Sequence, residues 1–325
     1  MIKKLIIGVM AFIVAVIMGA CIPPAPSVTP NVTSTSLAAT IVSPTVTKRA
    51  PTAASATPTV TSITPGPSFS HVYLIVMENK SYSEIVGNAH APYINSLITQ
   101  YGLAANYAAV AHPSEPNYLA LFSGSTQGVT NDGLYNLDGQ NLADQLEAHG
   151  KTWQVVAQNV PLDCFTGATA SGGEDGAGTY ARKHEPAISF TDISTSPARC
   201  SHITDFAHFD PAAADFIFIA PNLCNDMHDC ATATGDAFLQ SFVPTILDSS
   251  AWQQNGVLFI VWDEGEGSSS SNQVAALVIA HQVPPGFQSA VAHNHYALLR
   301  TIEDAWGLGC LNHTCDANNL NEFFP

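Results

Sequence analysis

His71-Val-Tyr-Leu-Ile-Val-Met77, followed directly by Glu78-Asn79-Lys80-Ser81-Tyr82, decides the fold. A strand with one wet face alternates apolar and polar residues, and this run does not. A continuous, β-branched run belongs to a strand covered on both faces, as in a parallel sheet. Asp215–Ala220, Gly256–Trp262 and Val274–Ala280 read the same way, and Trp153–Gln158 and Asn106–Val110 as shorter strands. Between them the spacing turns helical. Pro92–Tyr101 puts Ile94, Leu97 and Ile98 on one face. Asp236–Leu247 does so with Phe238, Phe242 and Ile246, and His295–Trp306 with Leu298, Leu299 and Ile302; Gln140–His149 is a further helix. Strands alternating with helices predict an α/β three-layer sandwich with a mainly parallel central sheet.

The ends of the 325-residue chain read differently. Lys3 and Lys4, an apolar core from Leu5 to Met18 and then Met-Gly-Ala-Cys make residues 1–21 a lipoprotein-type signal, with Cys21 as the lipidated residue. Residues 22–68 are rich in Pro, Thr, Ser, Ala and Val and nearly free of aromatics, the composition of an extended tether. The expectation is an extracytoplasmic catalytic domain, residues 69–325, anchored to a bacterial membrane through its N-terminal lipid. Six further cysteines, Cys164, Cys200, Cys224, Cys230, Cys310 and Cys315, suit disulfides in an exported protein. Pairing nearest neighbours is one of fifteen connectivities. A formal net charge of -16 argues against nucleic acid as a partner. It does not exclude a phosphate substrate if a metal ion supplies positive charge.

The chemistry gathers where the apolar runs stop. In open α/β sheets ligands bind at the carboxyl ends of the strands. Glu78-Asn79, Asn222 through Asp229 and Asp263-Glu264 all occupy such ends. Carboxylates at the rim of a core are costly to desolvate unless something pairs with them, and a cation is the simplest partner. A fourth segment, Ala111-His-Pro-Ser-Glu-Pro-Asn-Tyr-Leu-Ala-Leu-Phe-Ser-Gly124, turns from a polar loop into a helix. Pro113 and Pro116 put Ser114 at or just before the helix N-terminus, where free N–H groups and the helix dipole favour a phosphate-bearing hydroxyl. Taken alone, Ser114 reads first as an N-cap, and only the acidic and His clusters at the other strand ends shift the reading toward a nucleophile. Among twelve histidines, His228, His184 and His112 have informative neighbours; His293 and His295 read as a surface cluster before the last helix.

Five segments occur in order: Glu-Asn-Lys-Ser-Tyr, Pro-Ser-Glu-Pro-Asn-Tyr, Lys-His-Glu-Pro, Asn-Asp-Met-His-Asp and Trp-Asp-Glu-Gly. Together they resemble the phosphoesterase family of bacterial acid phosphatases and phosphatidylcholine-type phospholipases C, in the alkaline-phosphatase-like superfamily. The resemblance runs from about Phe69 to Leu308. It implies an alkaline-phosphatase-like fold and a metal site built from Glu78, Asn79, Asp263 and Glu264. Ser114 would be the nucleophile, Asn117 would hold a phosphate oxygen beside His112, and His184 and His228 would contact the phosphoryl group or protonate the leaving oxygen. Asp226 and Asp229 would orient His228. The phospholipase members carry Thr as nucleophile and a longer C-terminal region; Ser114 places this chain nearer the phosphatases. An oxygen-rich ligand set suits calcium, magnesium or manganese, with zinc as the alternative.

The implied activity is metal-dependent hydrolysis of a phosphate monoester through a phosphoserine. Two other readings fit the same residues: a phosphodiesterase or phospholipase C, and a lipid-anchored protein that binds a phosphorylated solute. The local motif of a sulfatase is absent.

Overall fold

The computed structural model describes residues 66–161, 164–171, 179–267 and 271–325. The signal segment, Cys21 and nearly all of the tether lie outside them.

Eight strands form one sheet: β1 (Val72–Met77), β2 (Gly102–Ala104), β3 (Trp153–Ala157), β4 (Ile203–Thr204), β5 (Phe216–Ala220), β6 (Val257–Trp262), β7 (Ala276–Ala280) and β8 (Phe287–Ser289). Their spatial order is β8-β2-β7-β6-β1-β5-β3-β4. Every strand runs parallel to β1 except β7, which turns back against β6 and β2. β1 lies between β5 and β6 and is buried at every residue, as its unbroken apolar run predicts.

Among the described residues, five helices of seven residues or more cover the sheet: α1 (Pro92–Gln100), α2 (Ser114–Ser123), α3 (Leu142–Ala148), α4 (Thr232–Leu247) and α5 (His295–Trp306). α1 packs on α4, and α2 packs on α5. Strands this deeply buried need cover on both faces, which makes the architecture a three-layer α/β sandwich. α2 is buried at all ten residues, so it is an internal element rather than an amphipathic surface helix. It ends at Gly124, whose left-handed φ of 67° closes the helix. A Cβ there would lie 2.2 Å from the Leu311 carbonyl oxygen, so only glycine fits.

Three local expectations are corrected. The strand expected over 106–110 is only Tyr107–Ala108, paired with His293–Asn294 outside the main sheet. The main-sheet strand is instead β2, a Gly-Leu-Ala triplet too short to carry a pattern. Helix α4 begins four residues earlier than expected, and it buries Leu239, Val243 and Ile246 rather than Phe238 and Phe242. Those two rings stack on each other at 5.4 Å and on Phe206, half-buried, outside the core. The expected apolar face fails because Gly235 and Asp236 also face inward. Asp236 accepts the Tyr93 and Ile94 N–H groups (3.1 and 2.9 Å), capping α1 from a separate helix. Finally, the Gly-rich run Thr166–Gly178, whose composition reads as one long surface loop, contributes Thr169–Ser171 to an antiparallel pair with Thr179–Ala181.

The disulfides are Cys164–Cys200, Cys224–Cys230 and Cys310–Cys315. The second closes the loop that carries Asp226 and His228. That removes conformations from the unfolded chain and restrains the loop in the folded one.

Candidate active site

Strand register builds the site. Met77 lies opposite Trp262 on parallel neighbours, so the next residues, Glu78 and Asp263, emerge side by side. The Asp263 N–H donates to the Met77 carbonyl (2.8 Å), and the Glu78 N–H donates to the Asp226 carbonyl (2.8 Å). Asn79 takes a left-handed φ of 51° and its N–H donates to Asp263 Oδ1 (3.1 Å). Three strand ends are thereby laced together, and their carboxylates converge.

Ser114 is the first residue of α2, with Pro113 as its cap residue. Its hydroxyl faces two carboxylates: Oγ is 2.9 Å from Glu78 Oε2 and 3.2 Å from Glu264 Oε1. One proton can serve only one acceptor at a time, so the second oxygen is left facing a lone pair. The N-cap position belongs to Pro113, and the Ser114 hydroxyl is directed to Glu78 and Glu264 instead.

His184 lies between Glu78 and Asp226, with Nε2 at 3.2 Å from Glu78 Oε1 and Nδ1 at 3.2 Å from Asp226 Oδ2. Tyr118, one turn along α2, stacks on its ring at 5.0 Å. Burial pushes His184 well below its ordinary value, helped by Lys183 and His228, so the imidazole is neutral. His228 stands further out. Its N–H donates to Asp226 Oδ1 (2.7 Å), Nδ1 meets Asp229 Oδ1 (2.7 Å), and Nε2 is 3.3 Å from Lys183 Nζ. A proton shared with Asp229 on Nδ1 leaves Nε2 as the acceptor from the ammonium.

The carboxylates are under strain of a plain electrostatic kind. Burial, with Asp226 next, pushes Glu78 up to about 8. Burial and the charges of Glu78 and Glu264 push Asp263 well above its ordinary value. Asp226 is raised well above its own by burial and Asp263, and Glu264 is raised by burial against the opposing pull of His112. Glu78 Oε1, His184 Nε2 and Asp263 Oδ2 are buried without a hydrogen-bond partner. Glu78 Oε1 and His184 Nε2 nevertheless lie 3.2 Å apart. Among the described residues, ligand atoms of Glu78, His184 and His228 lie within 4.8 Å of one another. Orphaned donors, raised carboxylates and this spacing fit a divalent cation.

The structure brings together most of the expected residues. Glu78, Asp263 and Glu264 converge on Ser114, while Asn79 contributes its backbone to Asp263. His184 and His228, expected at the phosphoryl group, group with Glu78 as candidate ligands. His112 pairs with Glu264 through Nδ1. Asn117, expected to hold a phosphate oxygen, has its carboxamide committed to the loop: Oδ1 accepts from Val110 and Ala111, and Nδ2 donates to the Ala111 and Pro113 carbonyls. It shapes the turn that presents Ser114. His295 is not a surface residue. It is fully buried, with Nε2 donating to the Asp263 carbonyl (2.7 Å) and Nδ1 facing the Tyr107 hydroxyl (3.1 Å). His293 is buried too, paired with Glu322 at 2.6 Å. The sequence alone assigns no role to Tyr118, Asp132 or Lys183. The one available signal is that Lys183 adjoins His184.

The phosphoesterase family profile matches residues 88–309. A phosphatidylinositol-3-phosphatase of Mycobacterium tuberculosis is 35% identical over 265 residues, covering 79% of this chain and 84% of that protein. An acid phosphatase of Aspergillus fumigatus is 27% identical over 266 residues, covering 78% of this chain but only 59% of that protein. Among solved structures, the phosphonate monoester hydrolase of Agrobacterium radiobacter overlays with a TM-score of 0.52 at 13% identity, covering 78% of this chain and 77% of that one. A sulfatase-like protein from Bacteroides thetaiotaomicron gives 0.53 at 13%, covering 79% and 74%. Identities this low speak of fold alone, and the fold is the α/β sandwich that these hydrolases share. The reading as a mere binding protein falls away: the chain belongs to the phosphoesterase family and is a hydrolase of phosphate esters.

Proposed function

We propose that this enzyme is a metal-dependent phosphomonoesterase that works through a phosphoserine on Ser114. The observation that carries the reading is a hydroxyl at the start of a buried helix, 2.9 and 3.2 Å from carboxylates on two adjacent strand ends. The names of the relatives favour a monoester: one is a phosphatidylinositol-3-phosphatase, and the rest are acid phosphatases.

Ser114 Oγ attacks phosphorus while a facing carboxylate oxygen, on Glu78 or Glu264, takes the hydroxyl proton. The alcohol leaves on the opposite side. Its oxygen takes a proton from water, because His184 is buried, neutral and held between Glu78 and Asp226, and His228 Nε2 is an acceptor facing Lys183. Water then attacks the phosphoserine, and the same groups run in reverse. Glu78, Asp263, Glu264 and His184 would hold the cation, with Asn79 and His228 beside them. When bound, such an ion lowers the hydroxyl pKa and neutralises phosphoryl oxygens.

The full-length chain should hydrolyse an aryl phosphate monoester, lose activity in chelator, and regain it with one of calcium, magnesium, manganese or zinc. Preference for the bis-aryl diester would move the assignment to phosphodiesterase or phospholipase C. We further propose display at the outer face of the cell membrane through Cys21, supported by the signal-like residues 1–21. Cells fed a labelled fatty acid should label the wild-type chain and not a Cys21→Ser chain; equal labelling of the two, or none of the wild type, would overturn the anchor.

A further inference from the structure

Of the described residues, six are Lys or Arg. Five are committed elsewhere. Lys80 is held by the Asn79 and Met227 carbonyls, Lys151 by Asp215, and Arg182 by three backbone carbonyls in the interior. Arg199 and Arg300 pair with carboxylates on their own or neighbouring helices. Lys183 is different. Its ammonium sits 3.3 Å from His228 Nε2, at the mouth of the site, with its side chain 21% exposed. Its other partner is Asp132 Oδ2 at 2.8 Å, on the exposed loop after α2. Asp132 Oδ1 in turn accepts the Glu115 N–H (3.1 Å), one residue beyond the nucleophile. A carboxylate therefore lies between this cation at the site mouth and the start of the nucleophile helix. A carboxylate there has the charge and acceptor geometry of a phosphoryl edge.

We propose that Lys183 is the specificity-determining residue for the dianionic phosphate monoester, its ammonium taking a terminal phosphoryl oxygen once the substrate displaces Asp132. This rests on the phosphomonoesterase reading. The chemistry asks for such a group. A monoester carries close to two negative charges at neutral pH, its second pKa being near 6, and has three terminal oxygens. A diester carries one charge and two terminal oxygens. The site is otherwise lined by Glu78, Asp226, Asp229, Asp263 and Glu264, so a second substrate charge needs a fixed cation of the protein's own. The ammonium has three N–H bonds, of which Asp132 and His228 take two.

The test compares wild type, Lys183→Met, Lys183→Arg and Asp132→Asn in the full-length chain. It reads kcat/KM for an aryl phosphate monoester and the bis-aryl diester, and the inhibition constant of inorganic phosphate. A lost charge-assisted hydrogen bond predicts a fall of roughly 10- to 100-fold on the monoester for Lys183→Met. The diester should fall by less than about threefold, and the phosphate constant should rise in step with the monoester loss. Lys183→Arg should recover most of both. Asp132→Asn keeps the lysine and removes its competitor, so phosphate should bind about three- to tenfold more tightly. An equal loss on both esters, an unchanged phosphate constant in Lys183→Met, or unchanged or weaker phosphate binding in Asp132→Asn would overturn the proposal. If wild type turns over neither ester with any ion, the phosphomonoesterase reading fails by itself. Calorimetric binding of inorganic phosphate then decides Lys183: binding by wild type that Lys183→Met loses supports it, and equal binding or none overturns it.

Discussion

Ser114→Ala should abolish turnover, by roughly four orders of magnitude or more, because the Ser114 hydroxyl is the group that the converging carboxylates face and the one assigned to attack phosphorus. The fold should survive. The hydroxyl is buried and removing it opens a space smaller than a methyl group, so the loss in stability is about 1–2 kcal/mol at most. Even that is offset in part, since the hydroxyl's acceptors are carboxylates that also face a cation site. Inorganic phosphate should therefore still bind, with an affinity within a few-fold of wild type. The decisive pair of measurements is turnover and phosphate binding on the same preparation. Lost turnover with retained binding identifies the nucleophile. A variant that keeps a tenth of wild-type activity would move the attack to a water molecule, and Ser114 would become a bystander held by two carboxylates.

The parts of this site that were legible in the sequence are those fixed by chain-local rules. An unbroken apolar run demands a doubly covered strand, and the polar residues directly after the run must lie at a strand end. Glu78 and Asp263 are therefore strand-end residues on sequence alone, and the Met77–Trp262 pairing sets them side by side. Pro113 marked the start of α2 for the same local reason. The parts that were not legible depend on partners far away in sequence. Asn117 looks like a free polar side chain until the 110–113 loop folds over it. His295 looks exposed at a helix start, yet the Tyr107 hydroxyl and the Asp263 carbonyl lie across it. Lys183 gains meaning only from Asp132, fifty-one positions away. Periodicity also failed on α4, where Phe238 and Phe242 stack outside the core because an inward Asp236 was needed to cap α1.

Glu78→Gln should move stability and activity in opposite directions. Glu78 is fully buried, and burial together with Asp226 raises its carboxyl to about 8. A raised carboxyl means the folded chain holds its proton more tightly than the unfolded chain does. The associated stability is present below the ordinary value of 4.5 and is lost as pH rises through about 8. Without a cation, the wild type at pH 8 to 9 therefore carries an unfavourable buried charge that glutamine, neutral and of equal size, does not. In chelator the variant should melt higher than wild type by a few degrees, about 1 kcal/mol, and the gap should close toward pH 5. Adding the restoring ion reverses the order. An ion at a hundred times its dissociation constant stabilises the wild type by about 2.7 kcal/mol, whereas the variant, short of one charged ligand, gains little. Activity should fall by roughly 100- to 1000-fold, since the ion and the acceptor of the Ser114 proton are weakened together. Thermal melts with and without the ion, at pH 5 and pH 9, separate the cases. A variant that is less stable than wild type in chelator, and gains as much from the ion, would make Glu78 an ordinary structural carboxylate. The opposite signs would mean that these clustered acids are retained at a cost to the fold because the cation they hold is needed for the chemistry.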